Sequence, residues 1–236
     1  MSIAENIAHI RHQIREAALS AGGDPADITL CAATKMNDTA RVKEAIAAGI
    51  TVCGENRVQE LTLKRSENAY DGASLHFIGH LQTNKVKAVV GKVDLIQSVD
   101  SPHLLAAISK EAQKQGIVQN ILLEINIGQE QSKTGFALTD IQPLLERMEN
   151  FPNVFVRGLM TIAPICRNAG DNDKFFQEIY NLSVDIKAKK YDNVCMEILS
   201  MGMSDDFAAA IAHGSTMIRI GTAIFGARRY GQHLSV

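Results

Sequence analysis

One lysine in this chain stands where its amine could do chemistry. Lys35 ends the apolar run Ile28-Thr-Leu-Cys-Ala-Ala-Thr. A side chain rooted at such a strand end starts in the core, and desolvation there disfavours the ammonium form. The neutral amine that results can attack a carbonyl and form a Schiff base. A lysine that snorkels to solvent fits the same position, so Lys35 needs corroboration from elsewhere in the chain.

The stretch Met217-Ile-Arg-Ile-Gly-Thr-Ala-Ile-Phe-Gly supplies it. Arg219 alternates with Ile218 and Ile220, so it points to the opposite face of its strand, where a buried charge requires a partner. Gly221 and Thr222 follow at once. Glycine lets backbone N–H groups approach an oxyanion, and a strand leading into a short helix is a common phosphate cradle. The plainer alternative is a turn glycine beside an arginine paired with Asp or Glu. Leu199-Ser-Met-Gly-Met-Ser-Asp-Asp-Phe adds hydroxyl donors at Ser200 and Ser204 and a loop, including Met203, able to wrap a flat ligand. Ser204 or Asp205 can equally cap the helix expected over residues 206–213, and the methionines can be core filler.

Two polar loops complete the set, Gly54-Glu-Asn-Arg-Val-Gln-Glu with Asn56 and His76-Phe-Ile-Gly-His-Leu-Gln-Thr-Asn-Lys with His80. His76 and His80 are four apart, but on a strand and its exit they stand about 13 Å from each other. One zinc ion with bonds of about 2 Å cannot bridge that gap, so His80 is read as a lining residue and no metal is expected. A Schiff-base lysine, a phosphate cradle and an inward arginine together suggest a phosphorylated carbonyl ligand. A sugar phosphate and pyridoxal 5′-phosphate (PLP) both qualify.

These residues need a scaffold that gathers strand ends. Eight apolar runs read as strands: residues 28–34, 51–53, 75–78, 95–99, 120–127, 155–162, 197–200 and 217–220. Helical periodicity fills the intervals at 38–49, 101–116, 140–150 and 173–190, with Gly49 and Gly116 as stops. Near-continuous apolar strands alternating with helices imply a parallel sheet with right-handed crossovers. Eight units fit a closed (β/α)8 barrel, a TIM barrel, as one domain over residues 1–236. An open doubly wound sheet is the alternative, weakened because no G-x-G-x-x-G follows the first strand. An extra helix over residues 3–21, with Ile3, Ile7, Ile10 and Ile14 on one stripe, precedes the barrel and could plug one end. The C-terminal strand ends of such a barrel would carry Lys35, Asn56, His80, Asp100, Asn126, Thr161, Ser200 to Ser204, Gly221 and Thr222.

Charge narrows the partners. With 24 Lys+Arg against 26 Asp+Glu the net charge is −2, which supplies no general attraction to nucleic acid or to acidic membrane surfaces. No uncharged apolar run approaches the roughly 20 residues that span a bilayer, and the first helix is too charged for a signal peptide. Cys31, Cys53, Cys166 and Cys195 show no C-x-x-C spacing and read as reduced thiols. A cytoplasmic protein is expected.

The long motifs now carry a resemblance. Gly54-Glu-Asn-Arg-Val-Gln-Glu, His76-Phe-Ile-Gly-His-Leu-Gln-Thr-Asn-Lys, Asn126-Ile-Gly-Gln-Glu-Gln-Ser-Lys-Thr-Gly, Arg157-Gly-Leu-Met-Thr-Ile, Leu199-Ser-Met-Gly-Met-Ser-Asp-Asp and Ile218-Arg-Ile-Gly-Thr-Ala-Ile-Phe-Gly-Ala-Arg closely resemble the PLP homeostasis protein family. The match runs from about Ile28 to Arg229. It implies a barrel similar to the N-terminal domain of alanine racemase, with PLP held on Lys35 as an internal aldimine. Ser200, Gly221 and Thr222 match the phosphate-holding positions, Asn56 and the His80 loop the ring's surroundings, and Arg219 the arginine facing the pyridine nitrogen. Ala33-Thr34-Lys35-Met36 departs from the commoner Val-Ser-Lys-Thr type, and Thr83 replaces a usual Ser; the lysine is retained.

The resemblance implies a PLP carrier in vitamin B6 and amino-acid homeostasis without robust turnover. Racemases of this fold append a β-domain that supplies a tyrosine base, and only seven residues follow Arg229 here. Apo PLP-dependent enzymes are the expected recipients, and a monomer is expected because that β-domain dimerises related proteins. The competing readings are a PLP-dependent amino-acid racemase or lyase using Lys35 as base, and a cofactor-free Schiff-base aldolase.

Overall fold

The computed structural model describes residues 1–130, 133–164 and 170–226. Eight parallel strands close into a barrel in chain order: β1 (Thr29–Ala33), β2 (Val52–Glu55), β3 (Ser74–Phe77), β4 (Leu95–Val99), β5 (Gln119–Ile125), β6 (Val154–Thr161), β7 (Val194–Ser200) and β8 (Met217–Ile220). Closure comes from β1, which pairs with β2 on one side and with β8 on the other, Cys31 lying opposite Arg219 and Ala32 opposite Ile220. All eight runs read from the sequence are strands, with ends shifted by a few residues.

Helices alternate with them: α1 (Ile3–Ser20), α2 (Thr39–Ala47), α3 (Val58–Ser66), α4 (Pro102–Gln115), α5 (Leu138–Leu145), α6 (Asp173–Lys189), α7 (Phe207–Ala212) and the short α8 (Thr222–Phe225). Local chemistry starts and stops them. Asp38 and Ser101 accept the N–H groups of Arg41 and Leu104 as N-caps, and Gly116 ends α4 in the left-handed conformation at φ 66°. At α7 the cap position is Asp206, not Ser204 or Asp205, and its carboxylate instead accepts the Met203 N–H at 2.6 Å.

The first helix corrects an expectation. It lies in the outer layer against α2, α7 and α8 rather than across a barrel end. The reason is geometric: α8 is only four residues long, so the outer ring has a gap that α1 fills. Its buried stripe of Ile3, Ile7, Ile10, Ile14 and Ala18 faces inward. Each buried isoleucine is worth about 2 kcal/mol.

Inside the barrel, alternate strand residues make two small apolar clusters. Cys31, Ala33, Val52, Ile78 and Met217 form one, Leu95, Leu122 and Met160 the other, and Ile198 touches both. The intervening residues, such as Ala32, Cys53, Phe77 and Leu123, belong to the larger core under the helices. Parity along a strand thus sends the side chains of Cys31 and Ala33 to the same face, the barrel interior at the end of β1. Cys31 and Cys53 are buried free thiols and Cys195 is half-buried, while Cys166 lies outside the described residues.

Candidate functional site

At the C-terminal ends of β1, β2 and β3 a cavity of about 330 Å³ is lined by Lys35, Met36, Asn56, Arg57, Gly79 and His80. Three of the residues singled out from the sequence meet there. Gly79 makes the meeting possible: a Cβ at that position would stand 2.2 Å from the Asn56 carbonyl oxygen, so only glycine lets the two chain segments touch. Among the described residues, Asn56 Oδ1 is the buried side-chain oxygen with no hydrogen-bond partner. Such an atom is costly unless something else satisfies it. His80 is half-exposed, and its Nδ1 lies 3.0 Å from Oδ2 of the nearly buried Asp100.

Arg219 points inward as its alternation predicts and is 6% exposed. It is held by oxygens rather than by an ion pair. Nη1 donates to Ser200 O at 2.7 Å and to Ser200 Oγ at 2.6 Å, and Nη2 donates to Thr161 O at 2.8 Å. Ser200 Oγ donates onward to Gln97 Oε1 at 2.7 Å, and Gln97 Nε2 stands 2.9 Å from His76 Nδ1. A chain of hydrogen bonds therefore crosses the barrel interior from β8 to β3. Burial pushes the His76 imidazole down to about 4, so it is neutral at pH 7 and accepts from Gln97 through Nδ1. His76 and His80, paired by spacing in the sequence, have separate partners on either side of the strand exit.

Gly221 begins α8 beside β1, where a Cβ would lie 3.4 Å from Ala33 Cβ and from Ala33 O. Pairing of β8 with β1 thus brings Gly221 and the exposed Thr222 to the strand end that carries Lys35. Met203 is exposed and Ser204 half-buried on the adjacent loop after β7. Ser200, by contrast, is buried, and its hydroxyl turns toward Gln97 and Arg219.

Sequence reasoning overlooked two groups. Glu124, at the end of β5, is pushed up to about 7 by burial first and by the charge of Asp100 second, against the opposing pull of Arg219. A glutamate in an apolar run gave no signal beyond its own oddity there. The second group is Glu55, Glu60 and Lys64. Glu55 closes β2, and Glu60, read with residues 54–60 as a polar loop, lies with Lys64 on helix α3, whose buried positions are Leu61 and Lys64. An inward lysine erases the apolar period that marks a helix.

Three kinds of comparison bear on this arrangement. A family model described as "Alanine racemase, N-terminal domain" matches residues 6–229. Proteins named pyridoxal phosphate homeostasis protein from Aquifex aeolicus and Escherichia coli are 41% and 38% identical over 98% of this chain, covering 100% and 98% of theirs. The solved structure of PipY from Synechococcus elongatus with PLP bound superposes with a TM-score of 0.83 at 32% identity, covering 95% of this chain and 100% of that one. An alanine racemase from Clostridium difficile shares the fold at a TM-score of 0.68 and 15% identity, with 89% of this chain matching 53% of that one.

Proposed function

This chain belongs to the alanine racemase N-terminal domain family and, within it, to the pyridoxal phosphate homeostasis proteins, and from that premise we propose that it binds PLP reversibly through a Schiff base at Lys35 and serves as a carrier rather than as an enzyme. The observation that carries the reading is that Lys35 and the unpartnered Asn56 Oδ1 belong to one cavity. PLP fits these residues: it offers an aldehyde to the amine, a neighbouring phenolic hydroxyl to Asn56 Oδ1, and a phosphate to a glycine-led helix start.

Lys35 supplies the amine. Asn56 and His80 line the ring's side of the cavity, Gly221 and Thr222 offer N–H and hydroxyl donors to the phosphate, and Met203 and Ser204 flank them on the next loop. Ser200 can join only by giving up its bond to Gln97. When bound, PLP would supply an aldehyde with which the Lys35 amine could condense reversibly, water being the group lost.

Arg219 supports holding over turnover. A guanidinium keeps its protons at any working pH, so it offers a pyridine nitrogen a donor and no carboxylate to protonate it. Electron withdrawal by the ring is weakest in that state. The competing reading, an amino-acid racemase or lyase, draws on Glu124, whose elevated titration near pH 7 suits a proton carrier. Release to apo PLP-dependent enzymes from a cytoplasmic monomer completes the proposal.

The test is direct. Borohydride treatment of protein loaded with PLP should add a pyridoxyl mass at Lys35, and Lys35→Ala should lose that adduct while retaining weaker PLP binding. An unchanged aldimine-type absorbance in Lys35→Ala would refute the assignment. Rapid α-deuterium exchange of amino acids in heavy water would replace the carrier by the enzyme.

A further inference from the structure

On the helix-facing side of the β1 and β2 ends lies a buried ionic cluster. The Glu55 carboxylate, fully buried, accepts from Lys64 Nζ at 2.7 Å, Thr34 Oγ1 at 3.1 Å, Tyr70 Oη at 3.2 Å and the Asn56 N–H at 2.8 Å. Lys64 Nζ also donates to Thr34 O at 2.9 Å and to Glu60 Oε2 at 3.0 Å. Glu60 Oε2 in turn accepts the Met36 N–H at 2.7 Å.

These bonds converge on one residue. The carbonyl before Lys35 is held by Lys64, the N–H after it by Glu60, and its own carbonyl accepts from Asn37 Nδ2 at 3.0 Å. Met36 sits at φ 59°, in the left-handed region, where a non-glycine residue persists only if its surroundings over-determine it. Burying the Glu55 and Lys64 charges costs desolvation, and apolar side chains of similar volume would seat α3 on the barrel at lower cost. What the charges add is directional: they bind particular peptide groups on either side of the amine-bearing residue.

We propose that Glu60 and Lys64 are positioning residues for Lys35, fixing the backbone from which its amine projects into the cavity. The inference rests on the Schiff-base reading of Lys35 and adds to it the groups that aim the amine.

The test compares Glu60→Ala, Glu60→Gln and Lys64→Met with the unaltered protein by two readouts. In the first, the apoprotein is labelled competitively with acetic anhydride across pH, and the Lys35 peptide is followed by mass spectrometry against the exposed Lys43. Glu60→Ala should alter the Lys35 labelling profile and leave that of Lys43 unchanged. In the second, affinities are measured for PLP and for pyridoxamine 5′-phosphate, which keeps ring and phosphate but has no aldehyde. PLP affinity should fall about tenfold or more in Glu60→Ala, while pyridoxamine 5′-phosphate stays within about twofold. Glu60→Gln, which retains an acceptor for the Met36 N–H, should recover most of the loss. Equal weakening of both ligands, or an unchanged Lys35 labelling profile, would overturn the positioning role. Should Lys64→Met fail to fold, the two Glu60 variants decide the matter, since that side chain lies at the cluster's partly exposed edge. Uptake of no PLP by the unaltered protein would sink the carrier reading alone; the apoprotein labelling still tests the positioning.

Discussion

Arg219 donates to Ser200 twice through one nitrogen, to the carbonyl oxygen at 2.7 Å and to the hydroxyl at 2.6 Å. The planar guanidinium is thereby oriented by neutral oxygens of β6 and β7. Its place is set by donor geometry and not by charge pairing.

Arg219→Lys keeps the charge and loses the fork. It should cost about 1–3 kcal/mol of stability through unmet acceptors on Ser200 and Thr161. It should also shift the absorbance maximum of bound PLP more than it changes the bound stoichiometry. Urea denaturation and a spectrum of the loaded variant check this; no change in either would remove Arg219 from the site.

Lys64→Ala leaves the Glu55 carboxylate buried without its cation. Breaking a buried pair in this way should destabilise the fold by about 3–5 kcal/mol. The double change Lys64→Met with Glu55→Gln should recover part of that loss, because the fully buried position no longer carries an uncompensated charge and only the partly exposed Glu60 is left without its cation. Thermal unfolding of the two proteins separates the outcomes, and a double variant worse than Lys64→Ala would contradict the pairing.

Two buried titrations oppose each other in their effect on stability. His76 falls from 6.5 to about 4 on folding, so its contribution is full above pH 6.5 and is lost as pH drops toward 4. Glu124 rises from 4.5 to about 7, so its contribution is full below pH 4.5 and is lost as pH climbs toward 7. Each spans roughly 3 kcal/mol. Glu124→Gln should therefore show stability rising with pH between 4.5 and 6.5 more steeply than the unaltered protein. His76→Gln should show the reverse tilt. Urea midpoints measured across that window test both, and parallel curves for all three proteins would argue against the burial of these groups.

Gly79→Ala drives a Cβ into the Asn56 backbone, which cannot yield as a side-chain tip would. A loss of about 1–3 kcal/mol is expected, together with a fall in PLP affinity as the Asn56 amide is displaced. A variant of full stability and affinity would mean that the β2 and β3 exits do not approach so closely.

Much of this molecule was legible in the order of its residues. Apolar runs of strand length alternating with amphipathic helices determined eight units and hence the barrel, because burial on both faces leaves a parallel strand no other composition. The same alternation determined that Arg219 points inward and that Lys35 follows an inward series. Tertiary structure alone decided what those side chains meet. Closure of β8 on β1 brought Gly221 beside Ala33, a contact between positions far apart in the chain that no local pattern encodes. Burial decided that Glu55, Glu60 and Lys64 are an interior cluster and not a polar loop: charged residues read as solvated until a fold shows their partners. It also turned Ser200 toward Gln97 and gave α1 the gap left by a four-residue α8, since packing depends on the lengths of neighbours that periodicity within one helix does not measure.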